Sequence, residues 1–393
     1  MLEVDERARE ETVRLTQDLV RIRTENPPGG EEEAARYCRD FLAQVGIDAT
    51  LVPLESGRSS VLARIPGREA GSVVLCGHLD TVRAEEGSWT TPPFEGRLAS
   101  GRILGRGAAD MKGGVAVLLE LARLVASCGR RSARSLVLAL TADEEGTYRG
   151  ARSIRETHEI DDARLLVVAE PTEGRAYVGQ KGELWVEAFF TGKGAHGAVP
   201  HEGVNSVLPA CEFSLELARA ATEFPQVPGR GKTTLNVGAL HGGWRPNVVP
   251  ENAKVELDFR PISKEDERRA IHLVEELGER AAKRVGATFS SRVRSAYPPI
   301  SSDPAHPEVR AFLAAAVGKD EAHAGIAPYC TDAVEIAPQL EIPVVLYGPG
   351  SIAQAHRPDE YLEVSSLWAV LEDLARYVCA DWVPQERTSA RAR

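Results

Sequence analysis

Four apolar runs in this chain end in acidic or imidazole side chains, and that repeated ending narrows the folds open to it. Ser72 to Cys76 leads into His78 and Asp80, and Ser135 to Leu140 leads into Glu144 and Glu145. Leu165 to Ala169 leads into Glu170, and Val344 to Tyr347 runs toward His356. Such apolar runs read as strands of an open α/β sheet. Ligands of such sheets gather outside the carboxyl ends of the strands. Four strands would then deliver oxygen and nitrogen donors to one edge.

A chain of 393 residues exceeds the length at which one core usually keeps growing, so two domains are expected. Its 47 Lys and Arg against 58 Asp and Glu leave a net charge of −11, which repels polyphosphate backbones and argues against nucleic acid as a partner. No apolar stretch is long enough to cross a bilayer. The first ten residues, MLEVDERARE, are acidic where an export signal would be basic and then apolar, so a cytoplasmic protein is expected. The six cysteines are scattered without a CxxC pair. That fits a reducing compartment and leaves His, Asp and Glu as the ligands of any metal.

Helical periodicity from Glu6 to Val45 is broken at Asn26-Pro27-Pro28-Gly29-Gly30, which predicts two helices flanking a loop. Gly113 to Ala126 is apolar nearly all round and reads as a buried helix, and Leu136 to Val168 gives strand, helix, strand. Beyond Gln180 the character changes. Glu183 to Thr191 alternates like a half-exposed strand, Val204 to Ala221 reads as a helix, Thr233 to Leu240 and Lys254 to Phe259 as strands, and Lys264 to Val285 as a charged amphipathic helix. The expected organisation is a first part of a catalytic domain over 1–180, an inserted domain over 181–295, the second part of the catalytic domain over 296–383, and a disordered tail over 384–393. The fold class is α/β: a mixed-sheet catalytic domain with an inserted α+β domain.

His78 and Asp80 lie two apart at a strand end, so both side chains point the same way. One can bind a metal while the other fixes the imidazole tautomer; a polar turn after a buried strand would look the same. Asp110, in GRGAADMKGG, could bridge two cations with its two oxygens, or simply cap the helix that follows. Glu144 and Glu145 are adjacent and cannot face one point. That suits one carboxylate on a metal and the other acting as general base. Glu170 and His356 each have a plain reading as surface residues, but together the strand-end set supplies two metals with mixed nitrogen and oxygen ligands. His196, among small residues, could reach out of its own domain, with His201 as its competitor. Arg260 could grip a carboxylate bidentately, and Asn247 is either a turn residue or a substrate contact.

The ordered set GHLDTV, GRGAADMKGG, TADEEGT, AEPT and AHRPDE resembles the motifs of the co-catalytic zinc aminoacylase and carboxypeptidase family, which includes acetylornithine deacetylase and succinyl-diaminopimelate desuccinylase. The stretch from Pro328 to Glu363 looks closer to acetylornithine deacetylase, whereas HGGWRPNVVPE resembles the wider family. The resemblance implies a zinc-hydrolase fold in which the inserted domain is a lid and joins a homodimer. It implies two divalent metals, zinc or else cobalt or manganese, with His78 and Glu170 on one, Glu145 and His356 on the other, and Asp110 bridging. Asp80 would orient His78, Glu144 would be the general base, and His196 would stabilise the oxyanion, typically in the partner subunit's site. Arg260 and Asn247 would contact the substrate. Tyr329-Cys330-Thr331-Asp332 resembles a stretch of the acetylornithine enzymes, and Asp332 could meet a distal amine. The implied activity is hydrolysis of a small N-acyl amino acid such as N-acetylornithine. Alternatives are a desuccinylase, a dipeptide-cleaving carboxypeptidase, or a non-catalytic binding protein on the same scaffold.

Overall fold

The computed structural model describes residues 2–317 and 325–380 and the backbone of 383–384. The expected tail lies, apart from Pro384, outside the described residues. The chain divides into two compact units, one of Met1–Gly179, Ser301–Gly325 and Thr331–Arg393, the other of Gln180–Ile300 and Ile326–Cys330.

The first unit opens with α1 (Glu6–Arg21) and α2 (Glu32–Gln44), separated by the Pro-Gly break. Asp5 caps α1 by accepting from the Ala8 amide at 2.8 Å. A hairpin of β1 (Ala49–Glu55) and β2 (Arg58–Ile65) leads to β3 (Ser72–His78), and the chain then crosses through the buried helix α3 (Gly113–Ser127). Next come β4 (Ser135–Thr141), α4 (Arg149–Glu156), β5 (Ala163–Val168) and β6 (Tyr177–Gln180).

The second unit contains β7 (Glu183–Thr191), α5 (Val207–Ala221), β8 (Thr234–Gly242), β9 (Asn252–Arg260), α6 (Lys264–Val285) and β10 (Thr288–Tyr297). The chain then returns to the first unit for α7 (Ala333–Leu340), β11 (Val344–Leu346) and α8 (Val364–Cys379).

In the first unit the strands run in the order β1-β2-β4-β3-β5-β11-β6. β3 is parallel to both β4 and β5, and β11 is parallel to β5, while β2 meets β4 antiparallel. The sheet is therefore mixed, with a parallel centre, and its central strands are the four apolar runs that lead into acidic or imidazole side chains. Every residue of β3 is buried, as strands covered on both faces must be. Because these four strands share a direction, their carboxyl ends lie on one edge. Gly114, in the first turn of α3, is there for space: a Cβ on it would stand 2.2 Å from the Ala169 carbonyl. That close approach seats α3 against the end of β5, beside the glutamate that follows.

In the second unit β8, β9, β7 and β10 form an antiparallel sheet in that order. Leu184, Val186, Ala188 and Phe190 alternate inward from β7 onto Phe213 of α5 and Val274 of α6. β10 was absent from the sequence expectation. Its TFSSRVRSAY run has too little apolar alternation to announce a strand, and it is held at the sheet edge by pairing with β7. No helix among the described residues is long and apolar enough to cross a membrane, and none of the six cysteines is disulfide-bonded.

Candidate metal centre

His78 is the last residue of β3, and its ring is wholly buried. Nδ1 lies 2.9 Å from the main-chain oxygen of Asp80, which leaves Nε2 to face Asp110 Oδ1 at 3.1 Å and Glu170 Oε1 at 4.0 Å. The second oxygen of Asp110 lies 3.5 Å from His356 Nε2, and that nitrogen is 3.1 Å from Glu145 Oε1. Donor atoms of His78, Asp110 and Glu170 lie within 4.8 Å of one another, and so do those of Asp110, Glu145 and His356. Asp110 belongs to both groups, with one oxygen turned to each histidine. Glu144 forms a further group with His78 and Glu145, so the adjacent carboxylates do approach one point, contrary to the expectation from their spacing.

The electrostatics are those of a site built around positive charge. Burial pushes the Glu144 and Glu170 carboxyls well above the usual carboxylate range, and neighbouring carboxylates add to the push while His78 opposes it. Burial would also raise Asp110, yet its bond to His78 and the nearby His356 hold it below its ordinary value. His78 is held well above its usual value by Asp110, Glu144 and Glu170 against the effect of burial, and His356 is pushed up to about 9, chiefly by its bond to Glu145. Four carboxylates so close together draw protons onto both imidazoles unless cations take the protons' place. The donors are nitrogen and oxygen only, a set suited to zinc, cobalt or manganese. The residues fit a dinuclear centre for two divalent ions.

Asp80 is buried and does more than face His78. Its Oδ1 accepts from the Glu144 amide at 3.1 Å, and its Oδ2 accepts from the Glu145 amide at 3.0 Å and from Asn26 Nδ2 at 2.9 Å. The carboxylate itself stands 3.6 Å from His78 Nδ1. Asn26 also donates to Asp143 Oδ1 at 3.1 Å, and Asp143 pairs with Arg58 at 2.9 Å. Arg58 in turn pairs with Glu31 at 2.5 Å, and Glu31 accepts from the Asp143 amide at 3.1 Å. This buried chain of Glu31, Arg58, Asp143 and Asn26 fixes the turn bearing Glu144 and Glu145. Sequence reading did not single out these residues, because each partner lies far away along the chain. A faint signal was present in Asp143, the additional acid of TADEEGT.

Asp332, expected at a substrate amine, is instead buried and 1% exposed, with one oxygen bonded to Thr141 Oγ1. Its other oxygen, Oδ1, is buried without a hydrogen-bond partner among the described residues. In the second unit, His196 and Asn247 are exposed and adjacent: His196 pairs with Val248 in a two-residue ladder, and the Gly197 amide donates to the Asn247 carbonyl at 2.8 Å. Arg260 closes β9 and pairs with Asp258 at 2.9 Å and with Glu183 at 3.3 Å.

A parallel-centred α/β sheet whose strand ends converge on a dinuclear, all-nitrogen-and-oxygen centre defines a metal-dependent hydrolase. The model of peptidase family M20/M25/M40 matches residues 74–380, and the chain belongs to that family. It is similar to a probable succinyl-diaminopimelate desuccinylase of Staphylococcus epidermidis, with 28% identity over 90% of this chain and 93% of that protein. It is also similar to an acetylornithine deacetylase of Aliivibrio fischeri, with 30% identity over 87% and 88%. Among solved structures, a tripeptidase of Staphylococcus aureus shares the fold with a TM-score of 0.78 at 21% identity, covering 94% of this chain and 97% of that one. A dinuclear metal-binding peptidase of Bacillus subtilis matches with a TM-score of 0.72 at 18% identity, covering 96% and 99%.

Proposed function

We propose that this protein hydrolyses the amide bond of a small N-acyl amino acid, releasing a carboxylate and a free amino acid. The observation that carries the reading is the placement of Asp110 between the two histidines, with the buried Glu144 beside them and outside the set that would hold the ions. His78, Glu170 and Asp110 would hold one ion, and Asp110, Glu145 and His356 the other. Bound there, two divalent cations would supply Lewis acidity, lowering the pKa of a water molecule from 15.7 toward roughly 7 and polarising the acyl carbonyl.

The chain's own residues supply the rest. Glu144 accepts the proton of the attacking water and returns it to the departing amine. Its burial suits this role, since desolvation keeps its proton affinity high even when cations offset the neighbouring carboxylates. His196 is the proposed oxyanion donor. Its Nδ1 accepts from the Ala198 amide at 3.0 Å, which leaves the proton on Nε2, the tautomer that can donate to a developing negative charge. Arg260 and Asn247 are proposed to hold the amino-acid carboxylate, in a homodimer joined through the inserted unit. The burial of Asp332 lends no support to a distal amine on the substrate. N-acetyl and N-succinyl amino acids then stand level, as the two similar relatives suggest.

A panel of N-acetyl and N-succinyl amino acids and dipeptides, assayed with metal restored, tests the reading. Glu144→Ala is expected to keep both metals and lose at least ~10²-fold in kcat, the usual scale for a positioned acid/base. Glu145→Ala is expected to weaken one metal site. Identical behaviour of the two variants would refute the division of labour, and no more than trace metal after reconstitution would refute the dinuclear reading.

A further inference from the structure

Glu360 is wholly buried, and the charge on its carboxylate is met from a single stretch of chain. Oε1 accepts from the Ala109 amide at 2.9 Å and the Asp110 amide at 3.2 Å, while Oε2 accepts from the Gly107 amide at 3.1 Å and from Arg106 Nη1 at 2.6 Å. The turn from Arg106 to Asp110 is thus wrapped around one side chain. Ordinary helix bonding does not fix this turn: Asp110 has φ −122° and ψ 94°, and Met111 has φ −132° and ψ 34°, both outside the helical region. Gly107 takes a φ of +81° at the start of the turn, and a Cβ there would stand 2.5 Å from Thr81 Cγ2. The Lys112 amide donates to the Gly107 carbonyl at 2.8 Å and closes the turn, but that bond does not engage the Asp110 amide, which donates to Glu360.

We propose that Glu360 is a positioning residue for the metal centre: its carboxylate anchors the main chain of Asp110 so that the two oxygens of that side chain face His78 and His356. The inference rests on the reading of Asp110 as the shared metal ligand. His356 lies four residues before Glu360, in the segment that ends in the short strand Tyr361–Glu363. One segment therefore supplies a ligand directly and the position of a second ligand through main-chain hydrogen bonds. Arg106, which balances the charge of Glu360, is itself held with its guanidinium 5.2 Å from the centre of the Trp89 ring. Because Asp110 faces both histidines, loss of the anchor disturbs both metals, whereas loss of Glu145 or Glu170 disturbs one.

The test compares Glu360→Gln with wild type by cobalt titration, with the visible cobalt spectrum and competition against a chelating dye as readouts. A glutamine amide turns an NH₂ group toward either the Ala109 and Asp110 amides or the Gly107 amide and Arg106, setting donor against donor. The expected result is a folded protein whose affinity for both cobalt equivalents falls 10–100-fold, the scale for groups that orient ligands, with an altered spectrum. Glu120→Gln, which disrupts another pair on a buried glutamate, with the partly exposed Arg123 at 2.5 Å, is expected to change stability alone. Amide hydrogen exchange over residues 107–111 of the metal-free protein is expected to speed up in Glu360→Gln, a readout independent of metal. Wild-type cobalt affinity, spectrum and exchange in a folded Glu360→Gln protein would overturn the proposal. Should that variant fail to fold, Glu360→Asp replaces it, and failure of both would also overturn the proposal by making Glu360 a determinant of the fold. Wild type that takes up fewer than two cobalt equivalents would sink the reading of Asp110, while the exchange experiment would still decide the anchor.

Discussion

Replacing Asp80 by Asn separates two jobs that one carboxylate can do. The side chain keeps its size, but one oxygen becomes an NH₂ group, so at least one of the Glu144 and Glu145 amides now faces a donor. A buried donor left without an acceptor costs about 1–3 kcal/mol. The bonds that survive lose the help of a full negative charge, roughly another 1 kcal/mol. Against this stands a saving: burial pushes the Asp80 carboxyl up to about 6, so a neutral replacement no longer has to be charged in a buried place. That saving is about 3 kcal/mol and offsets the cost in global stability, whereas the turn bearing Glu144 still loses its bonds; a misplacement that costs the transition state about 1.4–2.8 kcal/mol is a 10–100-fold loss in kcat. His78 should be less affected, because its Nδ1 is held at 2.9 Å by the main-chain oxygen of residue 80, which the substitution preserves. Steady-state kinetics of the metal-loaded enzyme, with dye competition for metal affinity, distinguish the outcomes. A variant that loses metal as His78→Ala does, yet has wild-type kcat when saturated with metal, would refute this reasoning and return Asp80 to the service of His78.

Three further outcomes are expected. Burial pushes Asp332 up to about 7, so the folded metal-free protein binds that proton more tightly than the unfolded chain does, and stability is lost as pH rises from about 4 to 7. Asp332→Asn removes the dependence and should gain stability relative to wild type, by about 4 kcal/mol in all as pH rises from 4 to 7; a pH-independent difference in urea unfolding would contradict it. Arg58→Met leaves Glu31 and Asp143 buried without their shared cation and should destabilise the protein by about 3–5 kcal/mol in urea unfolding, whereas a loss under 1 kcal/mol would show the network to be dispensable. The proposed homodimer should appear in sedimentation at assay concentrations, and an active monomer would count against an oxyanion donor supplied in trans.

Most of the candidate metal donors were legible in the sequence because they follow an apolar run, and a parallel strand leaves its next few residues at one edge whatever the loops do afterwards. His78, Glu170 and the Glu144-Glu145 pair follow that rule. Asp110 does not, since it precedes a helix and was distinguished only by its glycines. Strand β10 and the burial of Asp332 were not legible for a common reason. The polar run of β10 becomes a strand by pairing with β7, and Asp332 is polar in sequence but packed against Thr141 by the tertiary fold.

The supporting residues were hidden more deeply. Asp80, marked in the sequence only as a partner for His78, accepts from the Glu144 and Glu145 amides, Glu360 from the Gly107, Ala109 and Asp110 amides, and Glu31 from the Asp143 amide. A main-chain amide is the same at nearly every position, so such a contact leaves no mark on the residue that donates it. Only the accepting acid is visible, and in a chain with 58 acidic residues Glu31 and Glu360 do not stand out, while Asp80 stands out for its spacing from His78 alone. The consequence is directional. Sequence exposes the atoms that would touch a metal, while the carboxylates that decide where those atoms sit emerge only when buried charge is traced to its donors. In this protein the tracing leads each time to a turn carrying a metal-centre carboxylate, which is where a small displacement would cost the most.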